Sequence, residues 1–77
     1  MDIPERKDLR EAKLEGANLR VAKLERANLK GAFLKRANLK KADLKGANLE
    51  KAYILETNLE RSQHLSLNQL YKSENTL

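Results

Sequence analysis

The sequence predicts an all-β chain that turns a corner every five residues and gathers its apolar side chains around one axis. Three observations carry this. Leu recurs at Leu9, Leu14, Leu19, Leu24, Leu29, Leu34, Leu39, Leu44 and Leu49, and Ile54 and Leu59 continue the series. Two places before these residues stands a small one, from Ala12 through Ala52, then Thr57 and Ser62, with Lys7 the exception. Asn precedes the large apolar residue at 18, 28, 38, 48 and 58, which sets a ten-residue period over the five-residue one.

A period of five fits neither standard element. On an α-helix five residues advance about 500°, so successive Leu side chains spiral round the surface and leave no apolar face. On a flat strand an odd repeat sends alternate Leu side chains to opposite faces. A bend at every repeat removes both conflicts, because each segment then points its small and large apolar residues inward. The ten-residue period sets the length of one full turn of the chain. Twenty residues stack Asn on Asn (18/38/58 and 28/48) and Phe33 on Tyr53, whereas fifteen scramble both. Charge does not decide it: from residue 7 on, twenty gives six opposite and three like pairs, and fifteen gives eight and four.

The stretches Ala17-Asn18-Leu19, Ala27-Asn28-Leu29, Ala37-Asn38-Leu39, Ala42-Asp43-Leu44 and Ala47-Asn48-Leu49 resemble the pentapeptide-repeat family, whose motif is A-(D/N)-L-x-x. The resemblance covers about residues 7–63. It implies a right-handed quadrilateral β-helix with four pentapeptides per coil, here of about three coils, with Leu and Ala stacked inside. The repeat unit is expected over residues 1–65, with a capping helix and tail over 66–77.

The elements follow in order. Met1 to Lys7 carry no amphipathic stretch, so the N-terminal end is expected to be frayed or covered by a second protomer of a homo-oligomer. Gly16, Gly31 and Gly46 occupy corner positions, where freedom of φ explains them. The repeat decays at Ser62-Gln63-His64, with His64 where a Leu belongs. Ser66 followed by Gln69 reads as a capping box. It opens a helix from about 66 to 74 with Leu67, Leu70 and Tyr71 on one face, laid over the last coil as family members also have. Residues 75–77 stop where another strand could begin, as in a fragment of a longer protein.

Composition excludes several function classes. The 77 residues include no Cys and one His, so disulfides, thiolate metal sites and a histidine-built metal centre are not expected. There is no Gly-rich phosphate loop, no pair of inward carboxylates and no activated nucleophile. An enzyme, a cofactor and a metal are therefore not expected. No apolar run approaches a membrane span, and the first residues lack the apolar core of a signal peptide. A cytoplasmic protein without a membrane partner is the expectation.

The outward positions hold the candidates for binding. Phe33 and Tyr53 lie one above the other with Lys13 in the same column, either to contact a partner or stack a base, or as a cross-strand pair that only stabilises the wall. The Asn ladders read as backbone-bonding turn residues. Residues 20–51 carry ten basic side chains against three acids, a positive belt that includes Lys30, Lys35, Arg36, Lys40, Lys41 and Lys45. The net charge is +5. The belt spreads over all four walls, which favours a solvated surface over a focused stripe.

The reading that results is a non-catalytic scaffold or protein-interaction module with a protein partner. The alternative is an electrostatic binder of nucleic acid or another polyanion through the basic belt. The resemblance implies a third, since some family members mimic duplex DNA and protect topoisomerases. That mimicry uses a long, acidic, dimeric rod, and this chain is short and basic.

Overall fold

The same turn recurs at every fifth residue. The N–H of Ala12 donates to the carbonyl of Leu9 at 3.0 Å, Ala17 does so to Leu14 at 3.0 Å, and the series runs on to Ser62 and Leu59 at 3.0 Å. The third residue of each turn has positive φ: Glu11, Gly16, Val21, Arg26, Gly31, Arg36, Lys41, Gly46, Lys51, Glu56 and Arg61. With the second residue outside that region, these are type II turns, for which glycine is the usual choice at the third position. Only three of the eleven are Gly. Six of the other eight, all but Glu56 and Arg61, are held there by their own N–H, which bonds to the next layer, as Val21 does to the Lys40 carbonyl at 2.9 Å.

The computed structural model describes residues 7–73. Between turns the chain pairs with itself at a spacing of twenty, through parallel bridges Asp8–Asn28, Lys13–Phe33, Asn18–Asn38 and Lys23–Asp43, then Asn28–Asn48 through Asp43–Gln63. This is the spacing that the Asn and aromatic ladders predict. Each bridge is a pair of bonds: Leu14 donates to Phe33 at 2.9 Å, and Phe33 donates to Ala12 at 2.9 Å. The pairing forms isolated bridges rather than the continuous strands an all-β reading suggests. The reason is length, because a turn after every third residue ends each pairing segment before a strand can extend.

Successive twenty-residue layers thus superpose four walls and four ridges. The walls are the columns Asp8/Asn28/Asn48, Lys13/Phe33/Tyr53, Asn18/Asn38/Asn58 and Lys23/Asp43/Gln63. The ridges are the turn columns that begin at residues 10–11, 15–16, 20–21 and 25–26, numbered first to fourth here. Inside, Leu24, Leu29, Leu34, Leu39, Leu44 and Leu49 are buried with Ala27, Ala32, Ala37, Ala42, Ala47 and Ala52. Among the described residues no polar or charged residue is buried. Leu9, Leu14 and Leu19 at one end, and Ile54, Leu59 and Leu65 at the other, are partly buried against this core. Thr57 departs from Ala at a core position, and its hydroxyl donates to the Leu34 carbonyl at 2.7 Å.

The helix α1 spans Leu67–Tyr71, shorter than the 66–74 expected, with Ser66 as N-cap and Lys72 as C-cap. The capping box is complete: Gln69 N–H donates to Ser66 Oγ at 3.2 Å, and Ser66 N–H to Gln69 Oε1 at 2.7 Å. The expected apolar face is corrected, because Leu67 is 85% exposed. Polar bonds, not Leu67, dock the segment. Gln69 Nε2 donates to the carbonyls of Leu44 at 2.8 Å and Ala47 at 2.9 Å, and Lys51 N–H donates to the Lys72 carbonyl at 2.8 Å. The expectations for residues 1–6, for the Tyr71 side chain and for the helix beyond residue 73 lie outside the described residues.

Candidate functional site

The second wall is where the outward surface departs most from solvated polar residues. Phe33 and Tyr53 are fixed in register by Phe33 N–H to Ala12 at 2.9 Å and Tyr53 N–H to Ala32 at 2.9 Å. Their rings stack with centroids 4.9 Å apart and planes 7° apart. That spacing is the rise between paired backbones, so the layer geometry sets the stack. Both rings remain half-buried at the surface.

Beside them lies a shallow cleft of about 990 Å³, shared between the second wall and the first ridge and lined by Arg10, Lys13, Lys30, Lys51 and the two aromatic rings. Gly31 also lines it. A Cβ there would come within 3.3 Å of Glu11 Cγ, and its φ of +69° further favours glycine. Charge in the cleft is mixed and partly paired. Arg10 donates to Asp8 from Nε at 2.8 Å and from Nη2 at 2.7 Å. With the Arg10 backbone N–H, these bonds hold the Asp8 carboxyl at about 2. Lys30 and Glu50 stand 3.8 Å apart. Lys13 and Lys51 have no acid within ion-pair distance among the described residues. The arrangement offers an aromatic platform, unpaired cations and two carboxylates, which suits a mixed polar and aromatic partner surface.

The candidates named from the sequence do not converge. Phe33 and Tyr53 share the cleft with Lys30. Lys35 and Arg36 lie on the second ridge, where Arg36 Nε bonds Glu56 at 2.8 Å, raising the guanidinium pKa and lowering that of the carboxyl. Lys40 and Lys41 lie on the third ridge and Lys45 on the fourth. Lys13, which the sequence puts in the aromatic column, lines the cleft as well, and Arg10 and Lys51, which the sequence reading does not name as site residues, complete it. Sorting positions by their remainder on division by twenty brings Arg10 together with Lys30, and Lys51 together with Gly31.

The Asn ladders are the turn-binding groups expected. Oδ1 of Asn18, Asn28, Asn38, Asn48 and Asn58 accepts the N–H two residues on, at 2.9–3.2 Å. His64 ends the Leu series, as expected, with φ of 60°. It also makes a contact the sequence does not announce, Nδ1 to Asp43 Oδ1 at 3.1 Å. Asp43 is held below the usual carboxylate range chiefly by the Lys45 backbone N–H, with His64 adding to it against some desolvation. Among the described residues no helix is long and apolar enough to cross a membrane.

The family model for pentapeptide repeats matches residues 8–40 and 22–62, with eight copies. A search of curated proteins finds no match to the chain.

Proposed function

The chain belongs to the pentapeptide-repeat family, and we propose that it is a non-catalytic scaffold whose second wall docks a protein partner. Pentapeptide repeats generally form a right-handed β-helix. The twenty-residue bridge spacing supports a quadrilateral form of about three coils here. An interior filled by Leu and Ala leaves no room for a substrate, so binding falls to the outer surface. The observation that carries the docking site is the stacked Phe33–Tyr53 pair beside a cleft of mixed charge. Rigid aromatic side chains present contact area at little entropic cost, which is why such residues anchor protein interfaces.

The test places a photo-crosslinking amino acid at Phe33 or Tyr53, with Asn48 and Gln63 on other walls as controls. The expected result is one protein adduct from the second wall alone. When purified, that protein should bind the chain, and Phe33→Ala/Tyr53→Ala should weaken it at least tenfold with unchanged circular dichroism. Adducts distributed equally over all four positions would refute the docking site. Substrate turnover abolished by one polar substitution would refute the scaffold.

A further inference from the structure

Across the fold from the aromatic cleft, the third ridge has a different character. The bridges bring the turn residues Arg20-Val21, Lys40-Lys41 and Glu60-Arg61 into one column. Four basic side chains therefore stand there against one acid. The first ridge carries three against two, the second two against two, and the fourth two against one. The lone acid is already engaged, since Glu60 lies 3.4 Å from Lys40 Nζ. Arg20, Lys41 and Arg61 are exposed and have no acid within ion-pair distance among the described residues. Basic side chains reach every ridge, at its turns rather than on the walls where the sequence reading puts them, and this ridge has the largest excess of basic over acidic side chains.

The adjoining third wall adds to this. Asn18, Asn38 and Asn58 turn their Oδ1 atoms to the backbone N–H groups of Arg20, Lys40 and Glu60 at 3.2, 3.0 and 2.9 Å. The acceptor end of each amide is thus occupied. Each Nδ2, a donor, has no partner among the described residues. Wall and ridge together present amide, guanidinium and ammonium donors, with Glu60 the only acceptor of charge.

We propose that this face binds the phosphate backbone of a nucleic-acid duplex, without reading its sequence. A protein partner would call for apolar anchors at the centre of its footprint. The ridge offers only Val21, which is 61% exposed. A single strand would call for aromatic platforms on which bases stack. Phe33 and Tyr53 lie on another wall. Phosphate contacts need donors of the kinds found here, from Arg, Lys and Asn side chains. Two steps between layers make the column roughly 10 Å long. That is about the axial rise of three nucleotides on one strand. The inference is independent of the protein-docking reading, which concerns the opposite edge of the fold.

The test is fluorescence anisotropy of a labelled 20-base-pair DNA duplex titrated with the chain. Neutralising about three phosphates predicts a slope of log K on log salt near −2.7, so affinity should fall about 40-fold between 50 and 200 mM salt. Arg20→Gln/Lys41→Gln/Arg61→Gln should abolish binding and flatten that slope. Lys7→Gln/Arg26→Gln/Lys72→Gln, which removes equal charge elsewhere, should retain most of the affinity and the slope. Circular dichroism confirms that both variants fold. Equal loss in the two triple variants would overturn the ridge as the site, leaving net charge as the cause. Tighter binding of a single strand of the same length, or of polyglutamate in competition with the duplex, would overturn the duplex assignment. No duplex binding at 50 mM salt would overturn the proposal altogether.

Discussion

Gln69 carries a testable share of the stability of the C-terminal end. Its side chain forms three hydrogen bonds: Oε1 accepts from Ser66 N–H at 2.7 Å, and Nε2 donates to Leu44 at 2.8 Å and Ala47 at 2.9 Å. In the interior layers, a carbonyl at the Ala47 position accepts from the N–H twenty-one residues on, as Ala27 does from Asn48 at 2.9 Å. In the last layer the Gln69 amide takes that place. Gln69→Ala should remove all three bonds. At about 0.5–1.5 kcal/mol each the gross loss is roughly 1.5–4.5 kcal/mol. Two considerations place the value near the lower end. Leu44 keeps a second donor, the Ala47 N–H at 3.0 Å, and water reaches the half-exposed side chain. A loss of about 2 kcal/mol is therefore expected, read as a lower urea midpoint by circular dichroism with an unchanged m-value. Hydrogen exchange should quicken at Lys51, whose N–H bonds Lys72, while Asn38 and Tyr53 keep their order of protection. Gln69→Glu separates the two roles. It keeps the acceptor for Ser66 but sets a carboxylate against two carbonyls, and should cost at least as much as the Ala variant. A Gln69→Ala midpoint corresponding to less than about 0.5 kcal/mol would show that the amide does not close this end.

Two further predictions concern the turns and the surface charges. Val21 is a β-branched residue at φ 61°, where a left-handed conformation costs about 1–2 kcal/mol. Val21→Gly should raise the thermal midpoint by an amount equivalent to about 0.5–1 kcal/mol, after the entropy glycine loses on folding; a lowered midpoint would mean that Val21 packs in a way its exposure does not suggest. Asp8, Asp43 and Glu56 have pKa values below their ordinary range, Asp8 at about 2. Depressed carboxylates stabilise the fold above their unfolded pKa, near 4, and lose that contribution as pH falls through the folded values. The midpoint should therefore hold from pH 7 to about 5 and fall below 4, for Asp8 chiefly between 4 and 2. Glu56→Gln should reduce the acid-dependent part of that fall, and a wild-type midpoint that stays level to pH 2 would contradict the assignment.

The interior was legible because the repeat states it redundantly. Every fifth residue must fill the same hole, so Leu24 through Leu49 report the core without reference to any other position. The register needed more, and the Asn and aromatic columns supplied it because side chains stacked at one backbone rise pair best with their own kind. The turn conformation was legible only where Gly16, Gly31 and Gly46 mark it. Lys41, Glu56 and Val21 adopt the same φ with no local signature, since a bond to the next layer, where there is one, overrides residue preference. The cap was half legible. Ser66 and Gln69 announce the helix start, but nothing local says that the same amide reaches back to Leu44 and Ala47, which are 25 and 22 residues away. Leu67 misled because a five-residue helix has too little surface for an apolar face to decide its orientation.

The surface was hardest to read for a reason that follows from the fold itself. Layers of twenty turn linear neighbours into residents of different ridges, so the ten basic residues between 20 and 51 never form one patch. Lys35 and Arg36 go to a ridge that balances them with Glu15 and Glu56. Lys40 and Lys41 join Arg20 and Arg61, and there the only acid is Glu60. Counting opposite and like pairs along the chain averages over these columns and hides the difference. The inward positions are constrained to be alike, so they say nothing about partners. The outward ones are free, and only their column sums decide what the surface can hold. For a chain of this kind the unit in which binding should be sought is the column, three residues deep, and not the sequence segment. By that measure the aromatic cleft and the donor-rich third ridge are distinct surfaces on opposite edges, and substitutions on one should leave binding at the other unchanged.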